Sequence, residues 1–167
     1  MTRISPAALA AVLSLSATGA IAQDAFNQRF SGQFSGTGTV LRPGEEQPRR
    51  VSCNVTGTGD EDSVGLDGTC RAAVIFSRAI SADLRFDPRT NRYSGIYNGS
   101  KNGPAQLSGQ RQGDTVRLAI AYRAPINGDR VAMMMLRSEG DRRFRITVVD
   151  KVGGRDRETT DITFERR

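Results

Sequence analysis

The sequence predicts an all-β domain, an antiparallel up-and-down meander of about ten strands that closes into a barrel or stays half open. Three observations favour it: apolar and polar residues alternate through most of the chain, short turn-rich segments separate the alternating stretches, and the two cysteines fit one hairpin register. Closure is favoured over the alternative, a two-sheet β-sandwich. A long open sheet exposes its edges, and glycines on the inner face let a sheet curl.

The beginning of the chain resembles an export signal. Arg3 supplies a positive charge, residues 7–15 form a short apolar run, and Ala20-Ile21-Ala22 has the small-x-small pattern of a signal-peptidase site. The apolar run is much shorter than the ~20 residues that span a bilayer. We therefore expect a cleaved signal peptide at 1–22, a single domain at 23–167, no membrane-spanning segment, and a periplasmic or secreted protein.

The cysteine hairpin fixes the first register. Antiparallel pairing that sets Cys53 opposite Cys70 also sets Gly59 opposite Val64 and leaves a four-residue turn. Because an exported protein folds in an oxidising compartment, this register predicts a Cys53–Cys70 disulfide.

Ten alternating stretches follow this logic along the chain. In order they are 26–41, 51–59, 64–72, 75–86, 93–97, 105–111, 116–122, 131–137, 144–148 and 162–164. A hairpin with a two-residue loop at Gln112-Gly113 would pair Arg111 with Asp114 and Leu107 with Leu118. Residues 124–129 and 151–159 are expected to be loops.

The stretch 131–137 is predicted to have an outer face that is apolar, unlike the other strands. The phase of Val131, Met133 and Met135 is predicted to point inward, and the opposite phase, with Met134 and Leu136, is then also apolar. An apolar outer patch suggests a covered surface. A second copy of the chain, the loop at 151–159 or another partner could cover it, and a homodimer would form through Met134 and Leu136.

Composition excludes several kinds of chemistry. The 167 residues contain no histidine and only two cysteines, so neither a Ser–His–Asp triad nor a histidine metal site is available. The net charge of +6 permits nucleic-acid binding, but export and the scarcity of aromatic residues speak against it. The acidic run Asp60-Glu61-Asp62 lacks the spacing of a calcium loop, and we expect a solvated hairpin tip. We predict no catalysis, no cofactor and no metal.

The candidate binding residues share the inner phase. Arginines among apolar inner residues need a carboxylate partner or a position at a barrel mouth. Arg111 would pair with Asp114, and Arg137 with Glu139 or Asp141. A basic rim around a cavity lined by aromatic and methionine side chains would suit an amphipathic anion such as a fatty acid. The predicted ligand-binding residues are Arg78, Tyr93, Tyr97, Arg111, Tyr122, Met133 and Arg137.

Five short motifs carry a resemblance to a known family. They are Phe34-Ser-Gly-Thr-Gly-Thr-Val40, Val51-Ser-Cys53, Gly68-Thr-Cys70-Arg71, Tyr93-Ser-Gly-Ile-Tyr97 and Leu107-Ser-Gly-Gln-Arg111. In these the chain resembles small exported β-rich proteins of Gram-negative bacteria that are functionally uncharacterised. The resemblance implies export and an all-β fold, and brings no catalytic residues. Lipocalin-type and streptavidin-type barrels are similar in architecture by analogy only.

The sequence thus favours a non-enzymatic binding barrel for a small apolar or amphipathic anion. The alternative is an envelope interaction or inhibitor module that acts through its loops or an outer apolar patch.

Overall fold

The fold was determined as a computed structural model, which describes residues 25–73 and 76–167. The predicted signal peptide and Ile75 lie outside these residues. Ten antiparallel strands form one closed barrel in which each strand pairs with its neighbours in sequence and the first pairs with the last. The strands are β1 (Gly32–Val40), β2 (Arg49–Gly59), β3 (Ser63–Ala72), β4 (Phe76–Asp87), β5 (Arg92–Asn98), β6 (Ala105–Gln112), β7 (Thr115–Ile126), β8 (Asp129–Ser138), β9 (Arg143–Val152) and β10 (Arg155–Arg166).

The predicted all-β meander is confirmed, and its closure removes the sandwich alternative. The closing seam runs from Phe34 opposite Arg166 to Val40 opposite Thr160. Pairing along this seam leaves neither β1 nor β10 as a free edge. Two ends result. The end where β1 begins is called the floor. The opposite end is called the mouth, and it carries the connections 41–48, 99–104, 127–128 and 153–154.

The cysteine hairpin has the predicted register. Cys53 lies opposite Cys70 and Gly59 opposite Val64, and the two cysteines form a disulfide with their Cα atoms 4.0 Å apart. Since 17 positions separate the cysteines, the cross-link contributes about 3 kcal/mol in the chain-entropy model.

The prediction of one strand over 26–41 is wrong at its start. Residues 25–28 form a helical turn, and β1 begins only at Gly32. The turn places Phe26, Asn27 and Phe30, each at most 1% exposed, across one end of the barrel. Gly57 and Gly59 of β2 make room for it, because a Cβ on either would collide with the carbonyl oxygens of Phe30 and Asn27. These inner glycines therefore allow the helical turn to pack against β2 at the floor of the barrel.

The β6–β7 hairpin is displaced by two residues from its predicted register. Arg111 lies opposite Val116, and Leu107 opposite Ile120, so the loop is Gly113-Asp114. Gly113 has a φ of 59°, and a two-residue hairpin loop of this kind wants glycine at its first central position. Because the displacement is even, the inner face of both strands stays as predicted.

The predicted inner face of β8 is wrong. Met134 and Leu136 are buried inside the barrel, whereas Met133 and Met135 lie on the outer phase and Val131 is 57% exposed. At the turn, Ile126 pairs with Asp129. If that register continued along the two strands, Met133 would point inward. A register shift between Ala121 and Ile126 inverts the phase. The homodimer surface predicted at Met134 and Leu136 is therefore part of the core.

The segments predicted as loops at 124–129 and 151–159 are mostly strand. β7 continues to Ile126, and β9 and β10 meet at the short turn Gly153-Gly154. Both glycines have positive φ, which shortens the connection to a tight hairpin. The polar composition of this segment reflects exposure on both sides, since residues 153–158 are all exposed.

Candidate binding cavity

A cavity of about 510 Å³ occupies the barrel interior between the mouth and the floor. Its wall is apolar and comes from strands all around the barrel. Lining side chains include Val51, Leu66, Leu84, Leu107, Ile120, Met134, Ile146 and Ile162. These are the inward residues of successive strands, which the alternation of side chains brings to one face. The interior can therefore accept an apolar group.

The floor closes the cavity with aromatic rings. The rings of Phe30 and Phe34 contact Phe144 edge to face at centroid distances of 5.5 Å and 4.9 Å, and Phe164 stacks on Phe144 at 4.7 Å. Asn27 ties the helical turn to the wall, because the Tyr93 hydroxyl donates a 2.7 Å hydrogen bond to its Oδ1. In the described part of the chain these side chains block the floor end, so a ligand would reach the cavity from the mouth.

Cationic side chains surround one side of the mouth. They are Arg42, Arg49, Arg71, Arg78 and Lys101. Glu45 forms ion pairs with Arg49 at 2.8 Å and Arg42 at 3.8 Å. Within residues 25–73 and 76–167 no carboxylate lies within ion-pair distance of the other three, and Arg78 donates a hydrogen bond of 2.9 Å to the Gly99 carbonyl. In the described part of the chain, Arg71, Arg78 and Lys101 thus carry positive charge at the mouth without a neighbouring carboxylate.

A single acid, Asp150 on β9, lines the cavity among the described residues. Its side chain is buried, at 4% exposure. Asn127 Nδ2 donates to one carboxylate oxygen at 2.9 Å and the backbone amide of Lys151 to the other at 2.7 Å. Burial raises the pKa of this carboxyl, while the two hydrogen bonds oppose the shift. Arg157 lies opposite on β10, but its guanidinium donates to the Glu46 carbonyl.

Two tyrosines project from the wall near the mouth. Tyr97 on β5 pairs with Ala105 of β6, and the β6–β7 register places Tyr122 on the other side of that small residue. Burial raises the pKa of both phenols, and Asp150 adds to the effect on Tyr122. Both hydroxyls therefore stay protonated at neutral pH. Neither forms a hydrogen bond within the described part of the chain, which leaves two donors for a ligand.

Three of the seven predicted binding residues line the cavity: Arg78, Tyr97 and Tyr122. Two others lie at the floor. Tyr93 is fully buried there, and Arg111 stacks over the Phe26 ring at 3.9 Å with its Nε donating to the Gly113 carbonyl at 2.7 Å. Arg111 therefore supports the floor from below.

The remaining two, Met133 and Arg137, lie on the outer phase of β8 because of the inverted register. The ion pairs predicted for Arg111 and Arg137 are not among those that the described residues form. Asp114 pairs with Arg29 at 2.9 Å, and Glu139 pairs with Arg143 at 2.6 Å.

Sequence reasoning missed most of the mouth. Arg49 stands two residues before Val51, in the same inner phase, so the alternation that identified Arg78 would have found it. Asp150 likewise continues the inner phase of Phe144 and Val148. Lys101 and Arg42 lie in connections between strands, where alternation gives no signal.

The acidic side chains at the β2–β3 hairpin tip contact neighbouring residues of the protein. Asp60 accepts a hydrogen bond from the Ser63 hydroxyl at 3.3 Å, and Asp62 approaches Arg85 at 3.8 Å. Across the described residues, no three acidic or cysteine side chains come close enough to share a metal ion.

Comparison with known proteins supports the architecture. No known protein family matches the chain, and no curated protein matches it. Among solved structures, the crystal structure of Rv2717c from M. tuberculosis is similar with a TM-score of 0.62 and 14% sequence identity, over 83% of this chain and 93% of that one. At this identity the likeness extends to the fold alone. The class of protein so defined is a closed antiparallel β-barrel with an internal cavity.

In the described ranges no helix is long and apolar enough to cross a bilayer. The Cys53–Cys70 disulfide is typical of proteins that fold outside the reducing cytosol.

Proposed function

We propose that the protein is an exported, non-enzymatic binding barrel that holds a small amphipathic anion. The observation that carries this proposal is the combination of an apolar cavity, closed at the floor, with a mouth lined by cations. An apolar tail would lie between the strands, and its anionic head would remain at the arginines.

The dimensions and chemistry of the cavity support a ligand of this class. A volume of about 510 Å³ lies within the range of ligand sites, roughly 300–1,000 Å³. Each methylene transferred from water to the apolar wall contributes about 0.8 kcal/mol. The cations of the mouth would attract the head over several ångströms and speed association at low salt.

The absence of histidine and of a free thiol supports binding over catalysis. The sequence has no histidine, and both cysteines are joined in the disulfide. Neither an imidazole base nor a thiolate nucleophile is therefore present. Export is supported by the same disulfide and by the signal pattern of the sequence.

A fluorescent fatty acid tests the proposal directly. Titration with cis-parinaric acid should give saturable one-to-one binding that weakens about tenfold or more in an Arg78→Ala, Lys101→Ala double variant, since two charge-assisted contacts are removed. The matched control is an Arg117→Ala, Arg137→Ala variant, which removes the same charge from the exposed outer face. It should bind as the wild type does. Absence of saturation, or an equal loss in both variants, would contradict the proposal.

A further inference from the structure

The polar groups of the mouth are divided between two opposite arcs. The cationic arc runs from the connection after β1 through β2, β3 and β4 to the connection after β5. The other arc holds Tyr122 on β7, Asn127 after it, and Asp150 on β9. Five strand positions separate the strands of Arg78 and Asp150 in either direction around the barrel. In a barrel of ten strands opposing backbone walls lie on the order of 15–20 Å apart.

The two opposed residues lie at similar heights. Arg78 is two residues after the start of β4 at the mouth, and Asp150 is two residues before the end of β9 at the same mouth. Both line the same cavity. A ligand head that enters the mouth therefore meets a guanidinium on one side and a carboxylate on the other.

The carboxylate of Asp150 is placed as an acceptor. A carboxylate offers about four lone-pair sites, and the structure shows two donors to it, one to each oxygen. Asp150 is almost fully buried among the described residues and lines the cavity, so a ligand in the cavity can supply a further donor. Holding a buried acid at the edge of an apolar chamber is costly unless something compensates it. A simple monocarboxylate would bring a second negative charge and no compensation.

We infer that the head of the preferred ligand carries two groups a few atoms apart, an anionic group and a hydrogen-bond donor such as a hydroxyl. The donor binds Asp150. The anion lies on the side of Arg78, and Tyr97 and Tyr122 can donate between the two arcs. This inference rests on the proposed binding function and narrows its ligand class to hydroxylated or similarly donor-bearing single-chain amphiphiles.

A charge-matched pair of ligands tests it. Dodecanoic acid and 3-hydroxydodecanoic acid differ by one hydroxyl, and each can be titrated as a competitor of bound cis-parinaric acid. We expect the wild type to bind the hydroxy acid about tenfold more tightly, the effect of a hydrogen bond to a charged acceptor. In Asp150→Asn this preference should fall to about twofold or less, because the charge of the acceptor is lost. Dodecanoic acid should bind the variant as tightly as the wild type or more tightly, since a repulsive charge is gone.

Two controls separate the alternatives. Asp156→Asn removes an acidic group from the exposed outer end of β10, where it pairs with Lys151 at 3.3 Å, and should keep the tenfold preference. Arg78→Ala should weaken both acids by a similar factor. Equal affinity of the wild type for the two acids, or an unchanged preference in Asp150→Asn, would overturn the inference and leave the binding function standing. If neither acid displaces the probe and the probe itself does not saturate, both proposals fail.

Discussion

The two ends of this barrel are built from the same alternation of side chains but filled in opposite ways. At the floor, Phe26, Phe30, Phe34, Phe144 and Phe164 are each at most 1% exposed and pack ring against ring. Toward the mouth the inward residues are mainly aliphatic and do not meet across the barrel, which leaves the cavity. The comparison shows how the fold keeps a close-packed core although its mouth end is hollow: the aromatic rings fill the floor end.

The largest difference between the ends should appear when a large side chain is removed. Phe144→Ala takes a ring from the centre of the floor and should lower the free energy of unfolding by about 3–5 kcal/mol, through lost transfer energy and a new void. Ile80→Ala on the cavity wall creates no new enclosed void and should cost only about 1–2 kcal/mol. Chemical denaturation of both variants measures this. Equal losses would mean that the cavity is packed as tightly as the floor.

A second contrast concerns two tyrosine hydroxyls. Tyr93→Phe removes the hydrogen bond to the buried Oδ1 of Asn27 and should destabilise the protein by about 1–2 kcal/mol. Tyr97→Phe removes a hydroxyl that faces the cavity and should change the unfolding free energy by less than about 0.5 kcal/mol. The same denaturation experiment serves both. A Tyr97→Phe loss as large as that of Tyr93→Phe would indicate that the mouth hydroxyl holds the fold.

The smallest contrast is in the response to pH. Burial raises the pKa of Asp150 at the mouth, so this group lowers stability at neutral pH, and the penalty disappears as pH falls through its folded pKa toward 3.8. At the floor, backbone and hydroxyl hydrogen bonds from Arg89 and Thr90 lower the pKa of Asp87. That group stabilises above 3.8, and its contribution is lost as pH falls.

Melting temperatures at about pH 7 and about pH 3.5 show whether each carboxylate stabilises or destabilises the fold. Asp150→Asn should melt slightly higher than the wild type at neutral pH, and Asp87→Asn slightly lower, with both differences shrinking in acid. A lower melting temperature for Asp150→Asn at neutral pH would show that its hydrogen bonds outweigh the cost of burial.

The fold was predictable wherever two independent constraints coincided. Alternation alone leaves a register open, but alternation together with a cysteine pair fixed the β2–β3 hairpin. In β8 no second constraint was available, because residues of both phases are apolar. Pro125 lies within the register shift of β7 and marks an irregularity, but it does not show that the inner face of β8 is inverted. Arg137 held a clue, since the predicted phase placed its guanidinium inside.

The floor could not be predicted for a different reason. Phe26 and Phe30 are four residues apart, which is compatible with one face of a strand and with one face of a helical turn. Periodicity does not distinguish the two over so few residues. Long-range contacts fix the helical choice, among them the hydrogen bonds of Asn27 with the carbonyls of Asp60 and Glu61 and with the Tyr93 hydroxyl. The mouth was missed in part because connections between strands carry charges whose direction no alternation reveals.

The seam between β1 and β10 has a consequence for the order of assembly. A ribosome completes β1 first among the strands and β10 last, yet these two must pair for the barrel to close. Nine of the ten strand pairings join consecutive strands and can form progressively through local hairpins. The tenth, the seam, joins positions far apart in sequence and must form late. Until then β1 is an unpaired edge. The chamber and its polarised mouth therefore come into existence in a single final step, when the last strand docks.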